Sequence, residues 1–318
     1  MTISYLKKIF LFVVLLYLFF KITDGSEQLF SIINKINFFY FTITLIFVFT
    51  LILLTIYLNM IIFNKFIKQK ISANYFFYSF IKSQILSYIF SLIGVIYRYH
   101  TLKTKITLKN FIYINFFVIW FFLFFYLILY SFELLIFGFF LYPINIYIFI
   151  FLIFISIFIF IFPKIFKILK FNFLINPKNI IKNFSFFKNI KNKIYNFYSY
   201  ISMELFFLGF LNHLISFLQI FFIFKMLNIP MQFNSLILIF IINSLLDQLP
   251  VITPKNIGVS EIIFGYLAEM SDLNFDYGVL FKFFLRFFNL FALIILFLLL
   301  KFKNKLLTIC KPIRKFYS

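Results

Sequence analysis

The sequence predicts an all-α fold: a polytopic bundle of membrane helices, about six spans with two re-entrant helical hairpins. Three observations carry this. The chain is 64% hydrophobic with a mean hydropathy of +1.06, more apolar surface than a water-soluble domain can hide. Its apolar residues fall into runs of span length. Its charges sit mostly between those runs, with 30 Lys+Arg against 9 Asp+Glu and a formal charge of +21. In an integral membrane protein such an excess marks cytoplasmic loops and anionic lipid surface, so nucleic acid is not an expected partner. The single cysteine, Cys310, excludes an intramolecular disulfide and a cysteine-built metal cluster within these residues. The 60 phenylalanines fit an AT-rich coding bias and are given no special role.

In order, Lys7-Lys8 precede a first span over Ile9–Phe20, which lacks a small-residue cleavage site after it. The following loop is charge-balanced, with Lys21 and Lys35 against Asp24 and Glu27, and is placed outside. Phe38–Phe63 spans back to Lys65, Lys68 and Lys70 on the cytoplasmic side.

Tyr75–Tyr97 is long enough to cross, yet Arg98, Lys103, Lys105 and Lys109 follow it. A crossing would put that basic cluster outside. A re-entrant hairpin over about 75–103, turning near Ser91–Gly94, keeps both flanks inside. Phe111–Phe132 then spans outward to a neutral link holding Glu133 and Pro143, and Ile144–Phe162 returns.

Residues 163–199 form a basic cytoplasmic loop, with eight lysines and no acid between Lys164 and Lys193. Lysines alternating with Phe, Ile and Tyr fit an interfacial segment on the anionic leaflet. Tyr200–Phe224 spans outward and places Gly209, Asn212, Ser216 and Gln219 on one face. That stripe fits helix–helix hydrogen bonding or cavity lining equally well. His213 beside it has no second ligand at metal-binding spacing, so no metal site is expected.

The second hairpin spans 234–270. An apolar run ends at Asp247-Gln248, then Pro250 and Pro254 break the helix, and Asn256 and Gly258 can reverse the chain. The flanking helices, Asn234–Asp247 and Val259–Met270, come to about 21 Å and about 18 Å at 1.5 Å per residue. Neither crosses an apolar core of about 30 Å. Broken backbone at membrane depth belongs beside protein or a watered cavity. Asp272 and Asp276 follow outside, and Val279–Leu300 returns inward to a basic tail. Both termini are thus expected in the cytoplasm, with the protein in the cell inner membrane.

The last helix carries Lys282, Arg286 and Asn289 on one face. A charge at the bilayer centre costs about 2.5–3.5 kcal/mol on insertion scales. Lys282 is near enough to the helix end to snorkel. Arg286 lies about 10 Å in from the helix end and needs a partner. Glu261, in the first turn of the second half-helix, is the first candidate and Asp247 the next. The arrangement fits a structural ion pair, and equally a site where the Arg286 fork reads lipid phosphate.

Two short stretches resemble the flippase-like membrane region of lysylphosphatidylglycerol synthases and its stand-alone relatives. Pro254-Lys255-Asn256-Ile257-Gly258-Val259-Ser260-Glu261, with Arg286 in the following helix, resembles the late Pro-Gly-Gly-Leu-Gly-x-x-Glu motif, with Lys255 and Asn256 in place of two glycines. Gly94-Val95-Ile96-Tyr97-Arg98 resembles the early Gly-Glu-x-x-Arg motif, with Val95 in place of the acid. The resemblance implies a lipid-translocating or lipid-handling part without the soluble synthase domain, and so more a transporter than an enzyme. It implies a partner in anionic or aminoacylated phospholipid, with Arg98, Glu261 and Arg286 in the matching stretches; Asp247 and Lys282, from the reading of the residues themselves, complete the candidate binding set.

The sequence contains no phosphate-cradling glycine loop of the Walker type, and no cofactor is expected. A homo-oligomer is left open. The competing readings are a membrane glycosyltransferase using a polyprenyl-linked sugar, with Asp24 and Glu27 as outside acids, and a non-catalytic membrane subunit recruiting a partner through its basic loop.

Overall fold

A computed structural model describes residues 36–67, 70–89, 91–138, 150–161, 200–230, 232–248, 259–270, 273 and 275–314. All regular structure among them is helical: α1 Phe38–Phe66, α2 Ala73–Ile89, α3 Ser91–Leu102, α4 Leu108–Gly138, α5 Ile150–Ile161, α6 Met203–Met226, α7 Phe233–Gln248, α8 Val259–Glu269 and α9 Phe275–Arg314. Four of these contain segments long and apolar enough to cross a membrane: Phe38–Phe66, Leu108–Glu133, Met203–Met226 and Phe275–Phe302. They answer to four of the expected spans. The first expected span lies outside the described residues, and the Ile144–Phe162 span is described only over α5.

Local chemistry sets the helix ends. The Asn37 side chain accepts from the backbone N–H groups of Phe39 and Tyr40, at 3.0 and 3.4 Å, and so caps α1. Ser202 Oγ does the same for Leu205 in α6, at 3.4 Å. At the other end of α6, Asn228 takes the left-handed conformation at φ 52°. Ile229 N–H then donates back to the Phe224 carbonyl at 3.1 Å, closing the last turn. Asn is a residue whose short polar side chain tolerates that conformation.

The helices form two compact units. The first comprises residues 36–50 and 216–294. Here the start of α1 lies along the end of α6. Tyr40 and Phe47 both meet Phe222, and Asn37 N–H donates to the Met226 carbonyl. Phe41 sits edge-on to Phe288 of α9, and Phe224 of α6 stacks on Phe281 of α9 at 4.6 Å. Short helices α7 and α8 complete this unit. Their bounds agree within a residue with the two half-helices expected around the proline break.

The second unit comprises residues 51–215 and 295–314. Here α1 runs antiparallel to α4 and α6, which run parallel to each other. Phe63 meets Phe111 and Phe66 meets Tyr113 and Phe117, while Phe121 and Phe125 meet Phe206. Lys65, near the end of α1, donates to Ser202 Oγ at 2.6 Å and to the Tyr200 carbonyl at 3.3 Å. Gly209 faces the Phe125 ring so closely that a Cβ would press on it. That contact gives the glycine of the α6 stripe a close-approach role.

The Tyr75–Tyr97 segment is not one continuous helix. It folds as two helices lying against each other, α2 and α3. Tyr75 OH donates to the Thr101 carbonyl, and the Ser79 and Thr101 hydroxyls bond directly. Gly94, expected at the turn, instead lies within α3. A Cβ there would collide with Ser87 Oγ and the Ser83 carbonyl, so the glycine serves the contact between the two helices, and α3 has already begun at Ser91. The Phe111–Phe132 span also runs on: α4 continues to Gly138, so Glu133 is a helical residue and not part of a link. Likewise α9 reaches Arg314, carrying helix into the basic tail.

Candidate functional site

In the first unit, α7, α8 and α9 bring buried charge together. Close approach comes first. Gly278 of α9 lies against the backbone of α8, where a Cβ would run into the Phe264 carbonyl. Gly265 of α8 in turn leaves room for the Phe275 ring. With the two helices this close, the face of α9 carrying positions 278, 282 and 286 is turned onto its neighbours.

Arg286 meets Glu261 in an ion pair through one terminal nitrogen and donates through the other to Ser260 Oγ at 2.6 Å. Both charged side chains are largely buried, 14% and 16% exposed. Ser260 also donates to Glu261 Oε2 at 3.3 Å. Glu261 stands in the first turn of α8, where the helix dipole favours a negative charge. The expected pairing of Arg286 with Glu261 is therefore the geometry the chain adopts.

Lys282 does not snorkel. It is 2% exposed, and its ammonium donates to Asn243 Oδ1 of α7 and lies 5.1 Å from the centre of the Phe264 ring. The reason is register: four residues from Arg286, it shares the face that meets α7 and α8. An ammonium this buried is held by a hydrogen bond and an aromatic face. Asn243 and Ser260 were not singled out from the sequence. The signal was available, since a lone amide inside the apolar run of α7 and a hydroxyl beside Glu261 are both polar groups that a membrane helix must satisfy.

The remaining expected site residues fall elsewhere. Asp247 belongs to the last turn of α7, and its side chain is not among those described. Pro250, Pro254, Asn256 and Gly258 lie outside the described residues, as do Asp24, Glu27 and the basic loop. Arg98 belongs to the second unit. It donates to Asn115 Oδ1 of α4 at 3.0 Å, and its guanidinium lies over the rings of Phe80 and Phe111 at 5.1 and 5.9 Å. Its Nε is buried and has no hydrogen-bond partner among the described residues.

The α6 stripe divides. Asn212 hydrogen-bonds across helices, donating to Thr55 Oγ1 of α1 at 2.8 Å and accepting from Tyr126 OH of α4 at 3.2 Å. Gln219, in the first unit, is buried with its Nε2 lacking a partner among the described residues. His213, with no second metal-type ligand at suitable spacing in the sequence, has its Nε2 2.6 Å from Glu133 Oε1. The pairing was hidden because Glu133 was assigned to a loop. No group of three or more His, Cys, Asp or Glu that could hold a metal ion occurs among the described residues.

Comparison with family models, with curated proteins and with solved structures finds no match for this chain. Its functional reading therefore rests on the site itself.

Proposed function

We propose that this chain binds the headgroup of an anionic or zwitterionic phospholipid and moves it across the cytoplasmic membrane. The observation that carries the reading is the α7–α8–α9 cluster: two cations and one carboxylate, largely buried, on helices two of which are too short to cross a bilayer. Charges inside a membrane bundle are costly and are typically kept where a substrate or ion passes. A guanidinium fork suits phosphate oxygens, and an ammonium adds a point charge beside it. The first turn of α8 presents backbone N–H groups to an anion.

In the resting state Glu261 and Ser260 occupy the fork and Asn243 occupies the ammonium. A phosphate competes for both cations, and the released Glu261 is then available to an amine on the same headgroup. The likeness of the Pro254–Glu261 stretch and Arg286 to the flippase-like region of lysylphosphatidylglycerol synthases supports this reading, as does the amine-accepting carboxylate. Entry of α7/α8 and of α2/α3 into the bilayer as hairpins, with both termini cytoplasmic, completes the proposal.

The test is reconstitution of the full chain in liposomes carrying fluorescent anionic, zwitterionic or lysyl-bearing lipids. The appearance of each label at the opposite leaflet is followed. Headgroup-selective acceleration that disappears in Glu261→Gln is expected. No acceleration for any headgroup overturns the proposal and turns attention to lipid-linked sugar donors.

A further inference from the structure

Where α4 and α5 of the second unit lie side by side, their contact is tight at one end and open beyond it. At the tight end the Trp120 indole N–H donates to the Ile159 carbonyl at 2.8 Å, and Phe124 meets Phe160 with ring centres 4.8 Å apart. Past these contacts the helices enclose a half-open groove of about 290 Å³. Its lining residues fall on one face of each helix. The space exists because serine stands where this chain mostly places Phe or Ile. Ser131 of α4 and Ser156 of α5 both line the groove, and both are buried.

The groove offers no hydrogen bond. Ser131 Oγ donates to the Leu127 carbonyl at 2.7 Å and Ser156 Oγ to the Ile153 carbonyl at 2.8 Å, each within its own helix. Every other lining side chain is Phe or Ile. Water settles in a cavity only where it finds several polar partners, so an apolar one of this kind stays dry. Left empty, it forfeits dispersion contacts along its walls.

The surroundings name the occupant. Helix α4 is long and apolar enough to cross a bilayer over Leu108–Glu133, a stretch that holds its whole side of the groove. Phe132 and Ile157, at the rim, are 58% and 51% exposed, and the apolar surface continues over Phe151, Phe154 and Phe158 of α5. In a membrane that surface is bathed in lipid hydrocarbon. A hydrocarbon chain entering from there leaves no hydration behind and regains the missing dispersion contacts. The volume holds roughly ten groups the size of a water molecule or a methylene, which suits a length of chain and not a polar headgroup. We propose that the α4–α5 groove is a binding site for one lipid acyl chain, indifferent to the headgroup that chain carries. The site uses no charged residue and does not depend on the headgroup reading of the α7–α8–α9 cluster.

Trp120 is the chain's one tryptophan. It is 3% exposed and stacks on Phe124, which lines the groove, so it reports on the occupant. The full chain is reconstituted in vesicles of phosphatidylcholine brominated along its acyl chains, and Trp120 fluorescence is compared with that in the unbrominated lipid. Bromine quenches indole only at short range. The wild type should lose most of its Trp120 fluorescence, and phosphatidylglycerol brominated in the same way should give the same loss. Ser131→Leu and Ser156→Leu fill the groove with carbon and should restore most of the signal. Phe154→Ala, on the exposed face of α5, should not. In the wild type, added dodecane competes for the groove and should also restore the signal, an arm that stands if the leucine variants do not fold. An unquenched wild type overturns the proposal, since the groove is then dry or covered by another part of the chain or by a second copy. Equal quenching in the wild type and folded leucine variants, or quenching that dodecane does not relieve, means lipid around the protein only and overturns it too. So does quenching confined to one headgroup.

Discussion

The two pairs of short helices, α2/α3 and α7/α8, are built on opposite plans. The first is held by its own two arms. Serines and a glycine let the helices touch, hydroxyls join them at the open end, and the Arg98 guanidinium rests on aromatic faces and a neutral amide. The second is held by a third helix. Lys282 of α9 reaches α7, Arg286 of α9 reaches α8, and Gly278 brings the α9 backbone onto α8. A helix pair held by charge on a neighbouring helix depends on pairing across helices, whereas one held by small-residue packing depends on the fit of its own two arms. The difference teaches that removing one side chain from α9 strands a buried charge on its neighbour, while removing one from α2/α3 leaves only neutral groups unpaired.

The most disruptive break of this contrast is Arg286→Ala. It strands Glu261 in a largely buried site and is expected to cost about 3–5 kcal/mol, read as lost thermal stability of the purified protein. The double variant Arg286→Met, Glu261→Gln should recover most of that loss, because no uncompensated charge remains. If the single variant is as stable as the wild type, α8 is not held by α9.

Next comes Gly278→Val, which forces α9 off the Phe264 carbonyl and is expected to cost about 3 kcal/mol. Gly94→Ala should cost less, about 1–2 kcal/mol, because one of the two obstructing groups is the rotatable Ser87 hydroxyl. Unfolding midpoints of the two variants, measured side by side, check that order. Arg98→Gln is the mildest, about 1 kcal/mol, since only a neutral hydrogen bond and ring contacts are lost. A cost for Arg98→Gln matching that of Arg286→Ala would erase the contrast between the two helix pairs.

Much of this was visible in the chain alone. The break between α7 and α8 follows from two prolines within five residues. The need for an acid opposite Arg286 follows from the cost of a lone charge in an apolar helix. What escaped was pairing that depends on where a helix stops. Apolar runs lengthen or shorten by a turn at little cost, so nothing local placed Glu133 inside α4 and within reach of His213. Lys282 was misjudged for a related reason. Distance from a helix end permits snorkelling, but the face it shares with Arg286 meets α7 and α8.

By itself the sequence determined the membrane class, the helical class, the positions of the long helices and the short-helix pair around the prolines. These depend on apolar run length, on proline and on the price of unpaired backbone, all read within one segment. The tertiary structure alone decided that Lys282 meets Asn243, that Ser260 joins the Arg286–Glu261 pair expected from the sequence, and that His213 meets Glu133. Those pairings join residues 25 to 80 positions apart. They are fixed by helix register and close approach at Gly278 and Gly209, which no window along the chain contains.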